Sequence, residues 1–125
     1  MWYRLAQLMP RRGPAKSQPP ETRIVSERHF LSAKRGGGQL RFEVWARPNP
    51  GGLQEITRYS LAYINPLLYS GDNGRVLGYD NAHGVHHRHC FGKVEPVEAA
   101  SYEAIVERFS AEWVEIAKEK ARRKR

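Results

Sequence analysis

The stretch Gln39-Leu40-Arg41-Phe42-Glu43-Val44-Trp45-Ala46-Arg47 decides the fold. Leu40, Phe42, Val44 and Ala46 fall on one side, and Arg41, Glu43, Trp45 and Arg47 on the other. A period of two with one polar side marks a strand buried on one face only. The flanks agree. Before it, residues 22–32 carry Ile24, Val25, Phe30 and Leu31, and the glycine-rich Lys34 to Gly38 reads as a hairpin loop. After it, Pro48 to Gly52 reads as a turn. Residues 55–64 then alternate again, with Tyr59, Leu61 and Tyr63 sharing a face, and Pro66 ends that strand.

Ser70 to Gly74 reads as another turn. Arg75 to Asp80 reads as a short strand with Leu77 and Tyr79 on one side. Asn81 to Gly84 is a tight connection, because Asn and Gly tolerate positive φ. His86 to Val94 forms the returning strand. Beyond Pro96 the period becomes helical. Ser101 is the expected N-cap, with Glu103 in the first turn. Tyr102, Ile105, Val106, Phe109, Trp113 and Ile116 then make one apolar stripe, long enough to cover a sheet. The expected architecture is α+β: an antiparallel meander of about five strands packed by a long C-terminal helix. Residues 1–20 are expected to be a flexible basic arm, with one helical turn around Trp2 to Met9, and residues 21–125 a single domain.

The chain has 125 residues, 40% of them hydrophobic and 27% charged, the composition of a folded domain. Its formal net charge of +8 favours an acidic partner, such as nucleic acid or an acidic protein. The charge is uneven. Residues 1–20 hold Arg4, Arg11, Arg12 and Lys16 and no acid. At the other end Lys118, Lys120, Arg122, Arg123, Lys124 and Arg125 face only Glu119. The body between is near neutral. Two basic ends either grip phosphates or serve as solvated termini. No stretch has the roughly 20 apolar residues of a membrane span. Met1 to Pro10 does not read as a secretory signal. Cys90 is the lone cysteine, which excludes an intrachain disulfide and suits a reducing compartment.

Chemistry concentrates in Gly78-Tyr79-Asp80-Asn81-Ala82-His83-Gly84-Val85-His86-His87-Arg88-His89. Four of the five histidines lie here, and histidine both exchanges protons near neutrality and ligates metals. On a strand, His87 and His89 share one face, and His86, Arg88 and Cys90 the other. Three readings compete. In the first, His83, His87, His89 and Asp80 hold zinc or another divalent metal, although their spacing fits no established zinc signature. In the second, no cofactor is needed: the imidazoles exchange protons with a ribose 2′-hydroxyl and a leaving oxygen. Arg88 then stabilises the phosphate, Asp80 orients an imidazole and Tyr79 donates a further hydrogen bond. This reading places the histidines in an open cleft with Arg88. In the third, the cluster is a hydrogen-bonded turn or a surface that binds a partner or nucleic acid without reacting. His29 reads as structural and Cys90 as a small buried residue. Trp45, beside Arg41 and Arg47, either stacks a base or covers sheet surface or a homodimer contact.

The segment Tyr79-Asp80-Asn81-Ala82-His83-Gly84, followed by His86-His87-Arg88-His89, resembles the signature of the TumE-like family of small prokaryotic toxins. The match is close over roughly residues 75–95. Gly78 stands where the family's commoner form has arginine, His83 where it has proline, and the loop between the two segments is shorter. The resemblance implies a cytoplasmic bacterial protein paired with a small antitoxin, and a ribonuclease or another translation-directed activity. It implies no residue roles.

Overall fold

The computed structural model describes residues 18–123. The helical turn expected around Trp2 to Met9, most of the basic arm, and Lys124 and Arg125 lie outside the described residues. Six strands follow one another: β1 (Thr22–Phe30), β2 (Gln39–Pro48), β3 (Gln54–Ile64), β4 (Arg75–Asp80), β5 (His87–Cys90) and β6 (Lys93–Pro96). One helix, α1 (Tyr102–Arg123), follows them. The sheet order is the chain order, and every neighbouring pair is antiparallel. This is the expected α+β meander with one strand more. The single returning strand expected over His86 to Val94 is in fact two. Phe91 and Gly92 both take positive φ, which turns the chain tightly and pairs Cys90 with Lys93.

The helix covers one face of the sheet. Leu40, Val44, Tyr59, Leu61, Tyr63, Leu77 and Tyr79 are buried on that face against Ile105 and Phe109. The rings of Phe42 and Tyr79 both meet Phe109 edge-on, at centroid distances of 6.0 and 6.4 Å. Ser101 caps the helix as expected: its Oγ accepts from the Ala104 N–H at 3.1 Å. Ala117 joins the core at the far end, where Gly36 comes close. A Cβ at Gly36 would stand 2.7 Å from the Ala117 carbonyl oxygen, so only glycine allows the approach. Nearby, the buried Asn65 amide donates to Gly36 O and to the Tyr63 hydroxyl, tying the β1–β2 loop to the end of β3.

Among the described residues, the other face of the sheet carries no helix. Along one cross-strand row it presents Ser26, Glu43, Ser60, Asp80, His87 and Pro96 in successive pairings. Phe109 is fully buried between the helix and the rings of β2 and β4. Phe109→Ala is expected to lower stability by about 3–5 kcal/mol, read by chemical denaturation, because the rings around it can close the cavity only in part.

Candidate functional site

Three consecutive residues of the motif go to three places. Tyr79, on the helix side, donates its hydroxyl hydrogen bond to Glu112 Oε1 at 2.5 Å. Asp80, one residue on, projects from the open face. Asn81 ends the strand: its side chain accepts from the Tyr59 N–H at 3.0 Å and donates to Thr57 O at 3.1 Å. The Asn81 amide thus continues the β3–β4 ladder after the backbone has left it. The chain then turns through His83 at φ 62° and Gly84 at φ 78°. His83 is exposed there, apart from the other histidines' partners.

The strand parity expected for the histidines holds. His86 lies on the helix side, where its Nδ1 is 2.6 Å from the Tyr59 hydroxyl. Burial, assisted by the Asp80 charge, pushes the Tyr59 phenol far above its ordinary value. The phenol is therefore the donor and Nδ1 the acceptor. Arg88 also points to the helix side. Its Nη2 reaches Glu112 Oε2 at 2.6 Å and its Nη1 reaches Glu95 at 3.2 Å. The cleft that the sequence reading gives to Arg88 and the histidines together is absent, because alternate residues of β5 face opposite sides of the sheet.

Glu112 is the residue the sequence reading missed on this side. It stands on the helix between apolar positions, with no neighbour along the chain to signal its partners. Burial opposes its ionisation, but the hydrogen bonds from Arg88 and Tyr79 outweigh that and hold its carboxyl below the ordinary value. Burial and the hydrogen bond to Glu112 push Tyr79 up to about 12. The same ion pair holds Arg88 well above its ordinary value. Cys90, expected to be buried, is only partly so, and that burial raises its thiol.

On the open face, Asp80 gathers His87 and His89. His89 Nε2 is 2.9 Å from Asp80 Oδ2, and His89 Nδ1 is 3.1 Å from Arg75 Nη2. A carboxylate can only accept and a guanidinium can only donate. The His89 tautomer is therefore fixed: hydrogen on Nε2, lone pair on Nδ1. Both nitrogens are engaged. His87 is different. Its Nδ1 is 3.9 Å from Asp80 Oδ1, too long for a hydrogen bond, and its side chain is 27% exposed. Among the described residues it has no hydrogen-bond partner.

The guanidinium beside these histidines is Arg75, not Arg88. Simple alternation would put Arg75 on the helix side with Leu77 and Tyr79. A bulge changes this: Tyr63 pairs with Leu77 but Ile64 pairs with Arg75, so β4 gains a residue and Arg75 changes sides. Asp72 holds it, with Oδ2 2.8 Å from Nε. Its side chain then crosses over Gly78, where a Cβ would stand 2.7 Å from Arg75 Cδ.

The alternative ligand set His83, His87, His89 and Asp80 is not gathered. His83 is elsewhere and His89 is occupied at both nitrogens. Among the described residues, no three His, Cys, Asp or Glu side chains are placed to hold a metal ion. The basic helix end is also elsewhere. Lys118 pairs with Glu115 at 3.7 Å, Arg123 with Glu119 at 3.5 Å, and Arg122 also with Glu119. Lys118 lies beside Lys34 and Arg35, on the helix side. His29, 2.9 Å from Glu27 and tilted against Phe42, is at a distance from the site along β1. No protein family, curated protein or solved structure matches the chain.

The helix–sheet clasp yields a pH prediction. A carboxyl held below its ordinary value stabilises the fold above its unfolded value of 4.5, and this contribution is lost as pH falls through the folded value. Glu112→Gln is expected to cost about 1–3 kcal/mol at neutral pH. The gap between variant and parent should narrow as pH falls below 4.5 and through the lower folded value, measured by denaturant titration across pH.

Proposed function

We propose that this chain is a metal-independent endoribonuclease acting as the toxin of a two-gene toxin–antitoxin system, with His87 as its proton-transfer group. The observation that carries the reading is the open-face set: an accessible imidazole beside a carboxylate, an immobilised second imidazole and a guanidinium. The resemblance over residues 75–95 supports the toxin assignment, and the net charge of +8 supports an RNA substrate and an acidic antitoxin that masks the same face. A cytoplasmic setting follows from that pairing. No described helix is long and apolar enough to cross a membrane.

In the proposed reaction, neutral His87 takes the proton of a ribose 2′-hydroxyl. The 2′-oxygen attacks the adjacent phosphorus, the P–O5′ bond breaks, and O5′ takes a proton from water on the open face. The products are a 2′,3′-cyclic phosphate and a 5′-hydroxyl, and His87 returns its proton to solvent. The Asp80 carboxylate stands beside that imidazole, its Oδ1 3.9 Å from His87 Nδ1. Arg75 supplies positive charge to the phosphorane as it develops. His89 is a positioning residue: held by Arg75, it fixes the Asp80 carboxylate. Arg88 and Tyr79 act through the fold, from the opposite face.

The engagement of both His89 nitrogens favours a second reading, in which the face binds RNA or the antitoxin without cutting. One experiment separates the two. Purified protein is incubated with RNA in excess chelator, and the ends of the products are analysed. Cleavage leaving cyclic phosphate ends, reduced on the order of 10²-fold or more in a folded His87→Ala variant, is the expected result. RNA left intact by the folded parent protein, or cleavage that stops with chelator, overturns the nuclease reading.

A further inference from the structure

Beside the histidines, the open face holds a pocket of about 550 Å³. Ser60 and Ala62 line it from β3, Glu43, Arg41 and Trp45 from β2, and Arg75 closes the side toward the histidines. The two sites are continuous. Arg75 lines the pocket and also contacts His89, and Ser60 of the pocket lies directly opposite Asp80 in the sheet. Three strand spacings separate Glu43 from His87 along the cross-strand row, about 14 Å.

We infer that this pocket receives one unpaired base of a single-stranded RNA whose adjacent backbone runs to His87. The inference rests on the RNA reading above and deepens it. Four observations carry it. The volume suits a small planar ligand. Trp45 lines the pocket whereas Arg58, stacked 3.9 Å over the indole, does not, so the indole is held in place by a cation and still borders the cavity. Such a fixed ring is a stacking platform for a base of any sequence. Next, Arg28 and Arg41 stand directly opposite each other across β1 and β2. Like charges at paired positions cost stability, and a polyanion crossing them removes that cost. Finally, Glu43 is a carboxylate with an exposure of 18% at the pocket wall, accepting from Arg23 at 3.2 Å and Ser26 at 3.0 Å. A carboxylate in that position accepts from the exocyclic amino group of cytosine, adenine or guanine, whereas uracil carries a carbonyl oxygen in place of that group and offers only its N3–H. A base in a duplex is stacked and paired, and cannot enter.

The test uses the His87→Ala protein, so that binding is read without cleavage. Fluorescence anisotropy is measured with labelled octanucleotides of cytidine, adenosine or uridine, and with a duplex of mixed sequence. The expected result is binding of the single strands at least tenfold tighter than the duplex, with uridine weakest. Trp45→Ala should weaken single-strand binding by about tenfold or more. Arg41→Ala, at an exposed position, should weaken it as well and remains readable if Trp45→Ala unfolds. Glu43→Gln should lift the uridine octamer toward the others. Equal affinity for duplex and single strand, or single-strand binding unchanged in folded Trp45→Ala and Arg41→Ala proteins, overturns the pocket. Binding with this profile by a parent protein that cuts nothing upholds the pocket and removes the nuclease. Cleavage by a parent protein whose binding ignores both substitutions does the reverse.

Discussion

The arrangement of both faces depends on the Glu112 carboxylate beneath the sheet. Arg88 and Tyr79, opposite each other on β5 and β4, converge on it from the sheet side. Because a strand alternates, fixing Tyr79 and Arg88 downward fixes Asp80, His87 and His89 upward. A slip of one residue would exchange the two sets, burying carboxylate and imidazoles under the helix and exposing a tyrosine and an arginine. The clasp is thus a register pin, and the chemistry proposed for the open face inherits its geometry from a contact on the other side.

Much of this was legible in the residue pattern. The alternation of residues 39–47, the tyrosines of β3 and the helical stripe after Ser101 follow from burial on one face, which leaves a periodic trace. The division of His87 and His89 from His86 and Arg88 follows from the same period. What escaped has a common cause. Arg75 changed sides through a bulge, and a bulge is a mismatch between two strands that neither strand shows alone. Glu112 joined Arg88 across 24 residues of chain. The extra strand came from Phe91, a residue type that rarely takes positive φ. Grouping Arg88 with its histidine neighbours followed proximity along the chain, and a strand sends neighbours apart.

The open face is lined by small residues and arginines. Ser60, Ala62 and Gly78 have short or no side chains, which leaves a trough, while Arg23, Arg41 and Arg75 stand around it. A wide apolar face would demand a second layer; here the arginine stems lie over the sheet and keep their charged ends in water. Asp72 and Asp80 do not neutralise Arg75 so much as aim it, since each holds or approaches a different nitrogen.

The meander has a consequence for the order in which the molecule comes into being. Every strand pairs with its predecessor, so hairpins can form in sequence as the chain is synthesised from its N-terminus. The helix comes last, and with it Glu112. Until that residue leaves the ribosome, β4 and β5 lack the contact that holds their register. The open-face residues therefore reach their final register only when the sheet is finished and its clasp has closed. Delay of this kind requires only that the pin be encoded after the parts it pins.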